Sequence, residues 1–271
     1  MNNFNDFNNN NNHNNYNING QPMYNNNQNG IFNDKVNRNG FVNNISQGDY
    51  TFARYIAKTY LWMFLGLAIT FGVSFYLTLN SNTVESFVFN NYRMYLTATV
   101  ISLISVIAIG FFFRFFPPTI AKIVFIIYSA DLGIILTPVL LAYEFGSVLV
   151  VFGITSAIYL ILAIIGLTTK KDTTRLGFIL SISLIAILIY SLISFFFFRS
   201  TLNRIVIDVL VLAVFMGFTV YDNSKLKNMY YSTNHDQRSL AKSSIYGALQ
   251  MYLDYINIFI RLLSLFGKRK N

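Results

Sequence analysis

The chain has 271 residues, of which 54% are hydrophobic, 17% aromatic and only 11% charged, against roughly 25% charged in an ordinary soluble domain. A formal net charge of +9 would suit a nucleic-acid binder in a soluble protein, but here the lysines and arginines gather at the ends of long apolar blocks, where a membrane accounts for them and no nucleic acid is needed. Cysteine is absent, which excludes disulfides and thiolate chemistry, and His13 and His235 lie in polar segments without the spacing of a zinc site.

Residues 1 to 50 are dominated by asparagine with scattered Phe, Tyr and Gly, as in "NNFNDFNNNNNHNNYNING". Such a tract buries too little apolar surface to offset its ordering entropy, so it reads as a disordered tail ahead of a membrane domain over 51–271. It has neither the basic start and apolar centre of a secretory signal nor the arginine-rich pattern of a transit peptide.

From Arg54 onward the apolar blocks fall at about 57–79, 94–116, 119–143, 147–168, 176–198, 203–221 and 244–266. Each approaches the roughly 20 residues that a helix needs to cross the hydrocarbon core. None shows the period-two alternation of a barrel strand, so the expected fold is an all-α bundle of seven transmembrane helices. Pro117 and Pro118 end the second block and open the third, and Pro138 kinks the third from within.

Positive charges set the orientation. Arg54, Lys58, Arg114, Lys122, Lys170, Lys171, Arg175, Lys225, Lys227, Arg238 and Lys242 fall on the side of the amino terminus, against Arg93, Arg199 and Arg204 on the other, so the amino terminus is expected in the cytoplasm. The tail "GKRKN" is then on the wrong side if the seventh segment crosses fully. Either the earlier helices override it or that segment does not cross completely.

The acidic residues sort by depth. Asp6, Asp34, Asp49, Glu85, Asp172 and Asp236 lie in tails or loops, and Glu144 and Asp208 lie near block ends, where hydration is the simpler reading. Asp131 lies about twelve residues into the third block, Asp222 closes the sixth, and Asp254 lies about ten residues into the seventh. A carboxylate at such depth costs several kcal/mol unless paired, protonated or wetted, which points to function.

On the seventh block Asp254, Asn257 and Arg261 share one helical face, a polar stripe that should turn away from lipid. Asp222 ends the sixth block at the side where the seventh enters, so the two carboxylates can approach one another, with Arg114 at a similar depth. Two carboxylates close together in a low dielectric share a proton, whereas an approaching guanidinium favours the charged form. The trio reads as a pH-sensitive switch; the alternative is that Asp222 merely reaches the headgroups beside Lys225 and Lys227.

"FMGFTVYDNSKLK", followed by "GALQMYLDYINIFIRLLSLFG", resembles the last two helices of the Bax inhibitor-1 family, in particular its bacterial branch, and "TYLWMFLGLAITFGVSFYLT" is similar to that family's first helix. The resemblance covers roughly residues 50 to 267. It implies a seven-helix bundle with the last helix central and a calcium leak gated by a pH-sensing aspartate pair, which Asp222 and Asp254 match. It further implies that Arg114 latches the first aspartate in the closed state. Two features depart from the family pattern: Asp-Asn-Ser stands where Asp-Thr-Gln is usual, and Asp131 is an addition that would either supply a cation site or pair with a neighbouring helix.

The leading expectation is therefore a pH-sensitive calcium pathway in a bacterial plasma membrane, without enzymatic activity or cofactor. Carboxylates are hard oxygen ligands suited to calcium, conduction requires weak binding, and Asp222 and Asp254 would supply it, with Asn257 and Asp131 as further polar residues of the path. A second reading is a membrane-embedded regulator that binds a membrane-protein partner, such as a protease or a death-pathway factor, and conducts no ions. A third, an intramembrane aspartyl protease, fits poorly: those enzymes carry Gly-x-Gly-Asp at the second aspartate, where this chain has "MYLD".

Overall fold

The computed structural model describes the backbone from Gly30 to Leu79, at Arg93 and Thr97, and from Phe116 to Lys270 apart from 198–199 and 234–236. Side chains are described from Phe52 within those bounds, apart from 195–199 and 234–237. Helices are α1 (Gly30–Leu79), α2 (Pro118–Leu141), α3 (Phe145–Thr168), α4 (Thr174–Phe197), α5 (Thr201–Ser232) and α6 (Gln237–Phe266). Among the described residues, these supply six spans long and apolar enough to cross a membrane, and the protein is an all-helical, multi-pass membrane protein. The expected second span, but for Thr97 and Phe116, lies outside the described residues, as do residues 1–29 of the asparagine-rich tail. Residues 30–50 belong to the helical backbone of α1, and their side chains are not described.

Both α5 and α6 outrun the apolar blocks that announced them. The sixth block was expected to stop at 221, yet α5 continues to Ser232 and buries Asp222, Asn223, Ser224, Leu226 and Tyr230. α6 likewise starts ahead of residue 244 and buries Leu240. In these turns of α5 one face packs on the bundle while Lys225, Lys227 and Asn228 take the other, so helical period and not apolar run length marks the extent. Asp222 therefore sits ~15 Å inside the end of α5 and not at it.

Over its most apolar stretch α6 is 56% buried, against 33% or less in every other described span. It packs on α2, α3 and α5, and hydroxyl pairs tie it to α1: Thr59 Oγ1 to Ser244 Oγ at 3.1 Å and Thr70 Oγ1 to Tyr252 Oη at 2.6 Å. Aromatic edges complete the sheath. Tyr252 meets Phe125 and Tyr128, Tyr255 meets Phe152 and Tyr159, and Phe259 meets Phe71 and Phe152. By contrast, α4 is only 6% buried and leans on α5.

Two glycines let the backbone of another helix come close. A Cβ on Gly133 would stand 2.7 Å from the Thr70 carbonyl of α1, and one on Gly166 would stand 2.5 Å from the Val220 carbonyl of α5.

The carboxyl tail folds against the α2–α3 turn. Glu144 N donates to Lys268 O at 2.9 Å, Lys270 N donates to Ala142 O at 3.0 Å, and Lys268 Nζ lies 2.8 Å from Glu144 Oε1. The end of α6 thus reaches the same end of the bundle as the end of α2. This removes the alternative in which the last segment fails to cross. Glu144 and the Tyr143 ring, 5.8 Å from the Arg269 guanidinium, meet two of the tail's positive charges.

Candidate functional site

The site is built where α5 and α6 pass each other as consecutive antiparallel helices. Asp222 is 6% and Asp254 4% exposed, and the two buried carboxyl groups face one another across the helix pair. Two carboxyls facing each other in a low dielectric do not both carry charge cheaply, an arrangement that favours one proton shared between them. Asp222 Oδ1 and Asp254 Oδ2 are left buried with no hydrogen-bond partner. Two unpartnered oxygens facing a low-dielectric interior are costly, and a site that keeps them is poised to take a proton, water or a cation.

The surroundings explain why the pair is not quenched. Asn223, beside Asp222, is engaged elsewhere: its Oδ1 accepts from Tyr60 Oη of α1 at 2.5 Å and its Nδ2 donates to Thr219 O at 2.7 Å. Buried Tyr159 of α3 approaches both aspartates. Gly166 of α3 lets α5 come close enough for this arrangement, since its Cβ would stand 2.7 Å from Asn223 Cβ.

Neither lysine draws Asp222 outward. Lys225 Nζ lies 5.6 Å from the ring centres of both Tyr221 and Tyr246, held as a cation between aromatic faces. Lys227 Nζ donates to Thr169 O at 2.9 Å and Leu167 O at 3.3 Å, closing the carboxyl end of α3. The alternative in which Asp222 snorkels beside these lysines is therefore wrong: burial within the longer α5 leaves its carboxyl facing α6.

Of the remaining expected site residues, Arg114 lies outside the described residues. Asn257 lies on the α6 stripe, where its amide donates to Leu253 O at 2.8 Å. Asp131, half-buried on α2, lies near Tyr128 and Tyr252. Tyr252 and Asp254 point ~200° apart around α6, so Asp131 meets the opposite side of that helix from the aspartate pair.

Sequence reasoning missed one polar contact altogether. Asp208, read as a hydrated end residue, is 3% exposed and accepts from Arg261 Nη1 at 2.7 Å and from Ser264 Oγ at 2.6 Å. A signal was available: an arginine on a polar stripe inside an apolar helix needs a counter-charge at its own depth. Asp208 and Arg261 lie a comparable number of residues from the ends of α5 and α6 that meet there.

The sequence model of the family described as "Inhibitor of apoptosis-promoting Bax1" matches residues 53–271, which takes in all six described spans. The chain belongs to the Bax inhibitor-1 family. Bacterial Bax inhibitor-1 relatives cover the same part. It is 35% identical to the inner membrane protein YbhL of Escherichia coli strain K12 over 218 residues, 80% of this chain and 92% of YbhL. Identity is 32% to an uncharacterized protein of Borreliella burgdorferi, over 80% of this chain and 93% of that one. It is also 32% to an uncharacterized membrane protein of Streptococcus pyogenes serotype M1, over 82% and 96% of the two chains. In this Bax inhibitor-1 chain the asparagine-rich tail lies ahead of the matched region.

Proposed function

We propose that this Bax inhibitor-1 protein is a pH-sensitive calcium leak of a bacterial inner membrane, with the Asp222–Asp254 pair as its gate. One observation carries the reading: two buried carboxyls face each other while an oxygen on each has no hydrogen-bond partner. Losing the shared proton puts like charges side by side, which drives α5 and α6 apart or draws in a cation. Two carboxylates offer calcium a few hard oxygens and no full cage, which suits passage over storage. Among the described residues no third Asp, Glu or His joins them.

In this reading α6 is the central helix of a seven-helix bundle, supported by its burial and by its contacts with α1, α2, α3 and α5. The bias of positive charge puts the amino terminus in the cytoplasm. The tail and the α2–α3 turn then lie on the outer side. Calcium is the cargo, no cofactor takes part, and the protein is not an enzyme. The inner-membrane location follows the relative YbhL.

The test is calcium entry into dye-loaded liposomes carrying the purified protein, scanned from about pH 5 to 8, since burial and a like-charged neighbour raise a carboxyl above its ordinary range. Wild-type flux should vary with pH, and Asp222→Asn and Asp254→Asn should each flatten that dependence. Flux that stays indifferent to both substitutions would remove the pair from the gate. Liposomes as tight as protein-free ones at every pH would overturn the leak itself and favour a partner-binding regulator.

A further inference from the structure

A second charged layer crosses the same helix pair at its other end. Asp208 lies seven residues into α5 and Arg261 five residues before the end of α6, so both stand on the order of 10 Å inside the bundle end that carries the tail. Their neighbours Ile205, Val206, Val209 and Leu210 are exposed on the lipid-facing side, which places this layer within the apolar part of the bundle. The Asp208 side chain is 4% exposed and both its oxygens are engaged, one by Arg261 and one by Ser264. The Arg261 side chain is 32% exposed and its buried Nε has no partner. The acid is thus fixed, while the guanidinium is held chiefly from one side.

Asp254, Asn257, Arg261 and Ser264 fall within ~80° of one another around α6, and Arg261 lies ~10 Å along the helix from Asp254. Any cation that leaves the aspartate pair along this face meets the guanidinium next. Paired with Asp208 the layer is neutral, and the arginine is drawn toward α5. Unpaired, it is a positive charge in a narrow, poorly hydrated passage, which repels cations strongly.

We propose that Asp208, Arg261 and Ser264 form a charge lock on the cation path: Asp208 and Ser264 hold Arg261 aside, and release of the guanidinium closes the path to cations. This rests on the reading of the α6 stripe as a route for calcium and adds a control point distinct from the aspartate pair.

Calcium flux into liposomes is compared for wild type, Asp208→Asn, Arg261→Gln and the double variant. The lock requires flux to fall about tenfold in Asp208→Asn, to rise several-fold in Arg261→Gln, and to return to within about twofold of wild type in the double variant. Loss of flux in both single variants to a similar degree would mark the pair as structural and overturn the proposal. If Asp208→Asn does not fold, the rise in Arg261→Gln and the near-normal double variant carry the same decision. Should wild type itself pass no calcium, the leak reading fails on its own, and the lock is judged by chemistry. The chain has no cysteine, so Asn257→Cys is a unique thiol. With Arg261 present, Asp208→Asn should slow its labelling by a cationic methanethiosulfonate reagent and speed labelling by an anionic one, and Arg261→Gln should do the reverse. Rates that ignore both substitutions overturn the lock.

Discussion

Asp222 on α5 and Asp254 on α6 face each other across the helix pair, both buried and each with one oxygen that has no hydrogen-bond partner. An amide can donate a hydrogen bond to a carboxyl that faces it, so it can stand in for either acid. Asp254→Asn should therefore stay within about 1 kcal/mol of wild type, whereas Asp254→Leu leaves Asp222 buried and unmatched and should cost about 1–3 kcal/mol. Thermal unfolding in detergent separates the two; equal melting of Asn and Leu variants would mean that the pair does not hold the helices.

The aspartates and their convergence were legible in the sequence because charge inside an apolar run is conspicuous, but the depth of Asp222 within α5 was not. The stripe of Asp254, Asn257 and Arg261 was legible for the same reason. What escaped was extent and partnership. Lys225 and Lys227 look like a headgroup boundary, and only the packing of Leu226 and Tyr230 against the bundle shows that α5 runs on to Ser232. Asp208 was misjudged because distance from a block end measures depth but not facing: it lies on the α6 side of its helix, while Val206, Val209 and Leu210 take the lipid side. The tail's crossing was undecidable from charge counting because the Glu144–Lys268 contact joins residues far apart in the chain.

Gly166 sets the spacing of α3 and α5 beside the pair. An alanine Cβ there would stand 2.5 Å from Val220 O and 2.7 Å from Asn223 Cβ, both on rigid parts of α5. Gly166→Ala should destabilise by about 1–3 kcal/mol through overpacking. It should also shift the pH profile of flux, since Asn223 adjoins Asp222. Gly153→Ala, where a Cβ meets nothing within 4 Å, is the control and should do neither.

Lys227 neutralises the exposed carbonyls at the end of α3. Replacing it with Met keeps the apolar stem and removes the donor to Leu167 O and Thr169 O. The loss should be about 0.5–1.5 kcal/mol, seen as a lower melting temperature and faster amide exchange in the last turn of α3. An unchanged last turn would show that water replaces the lysine at no cost.

Asp172 governs the entry to α4 from the loop that precedes it. Its Oδ1 accepts from Thr174 N at 2.9 Å and Thr174 Oγ1 at 2.6 Å, and these bonds hold its carboxyl below the usual carboxylate range. A depressed folded value means that the contribution is complete above the unfolded value of about 3.9 and fades as pH falls through the lower folded one. Protection of the Thr174 amide should accordingly persist down to about pH 4 and be lost below it. In Asp172→Ala it should be weak at every pH. Loss of protection near neutrality in the wild type would contradict this assignment.

The carboxyl tail is a clasp made more by backbone than by charge. The Lys268–Glu144 pair is largely exposed, so Lys268→Ala should cost no more than about 1 kcal/mol and less at high salt. Deleting residues after Gly267 removes the two backbone bonds to Ala142 and Glu144, the bond from Lys268 N to Ser147 Oγ, the Lys268–Glu144 pair and the Arg269 contact on Tyr143. That truncation should cost about 1–3 kcal/mol, largely independent of salt, because the hydrogen bonds it breaks are neutral. Melting temperatures of the two variants at low and high salt decide between backbone and charge. If Lys268→Ala matches the truncation and both recover in salt, the ion pair and not the backbone fastens the end of α6.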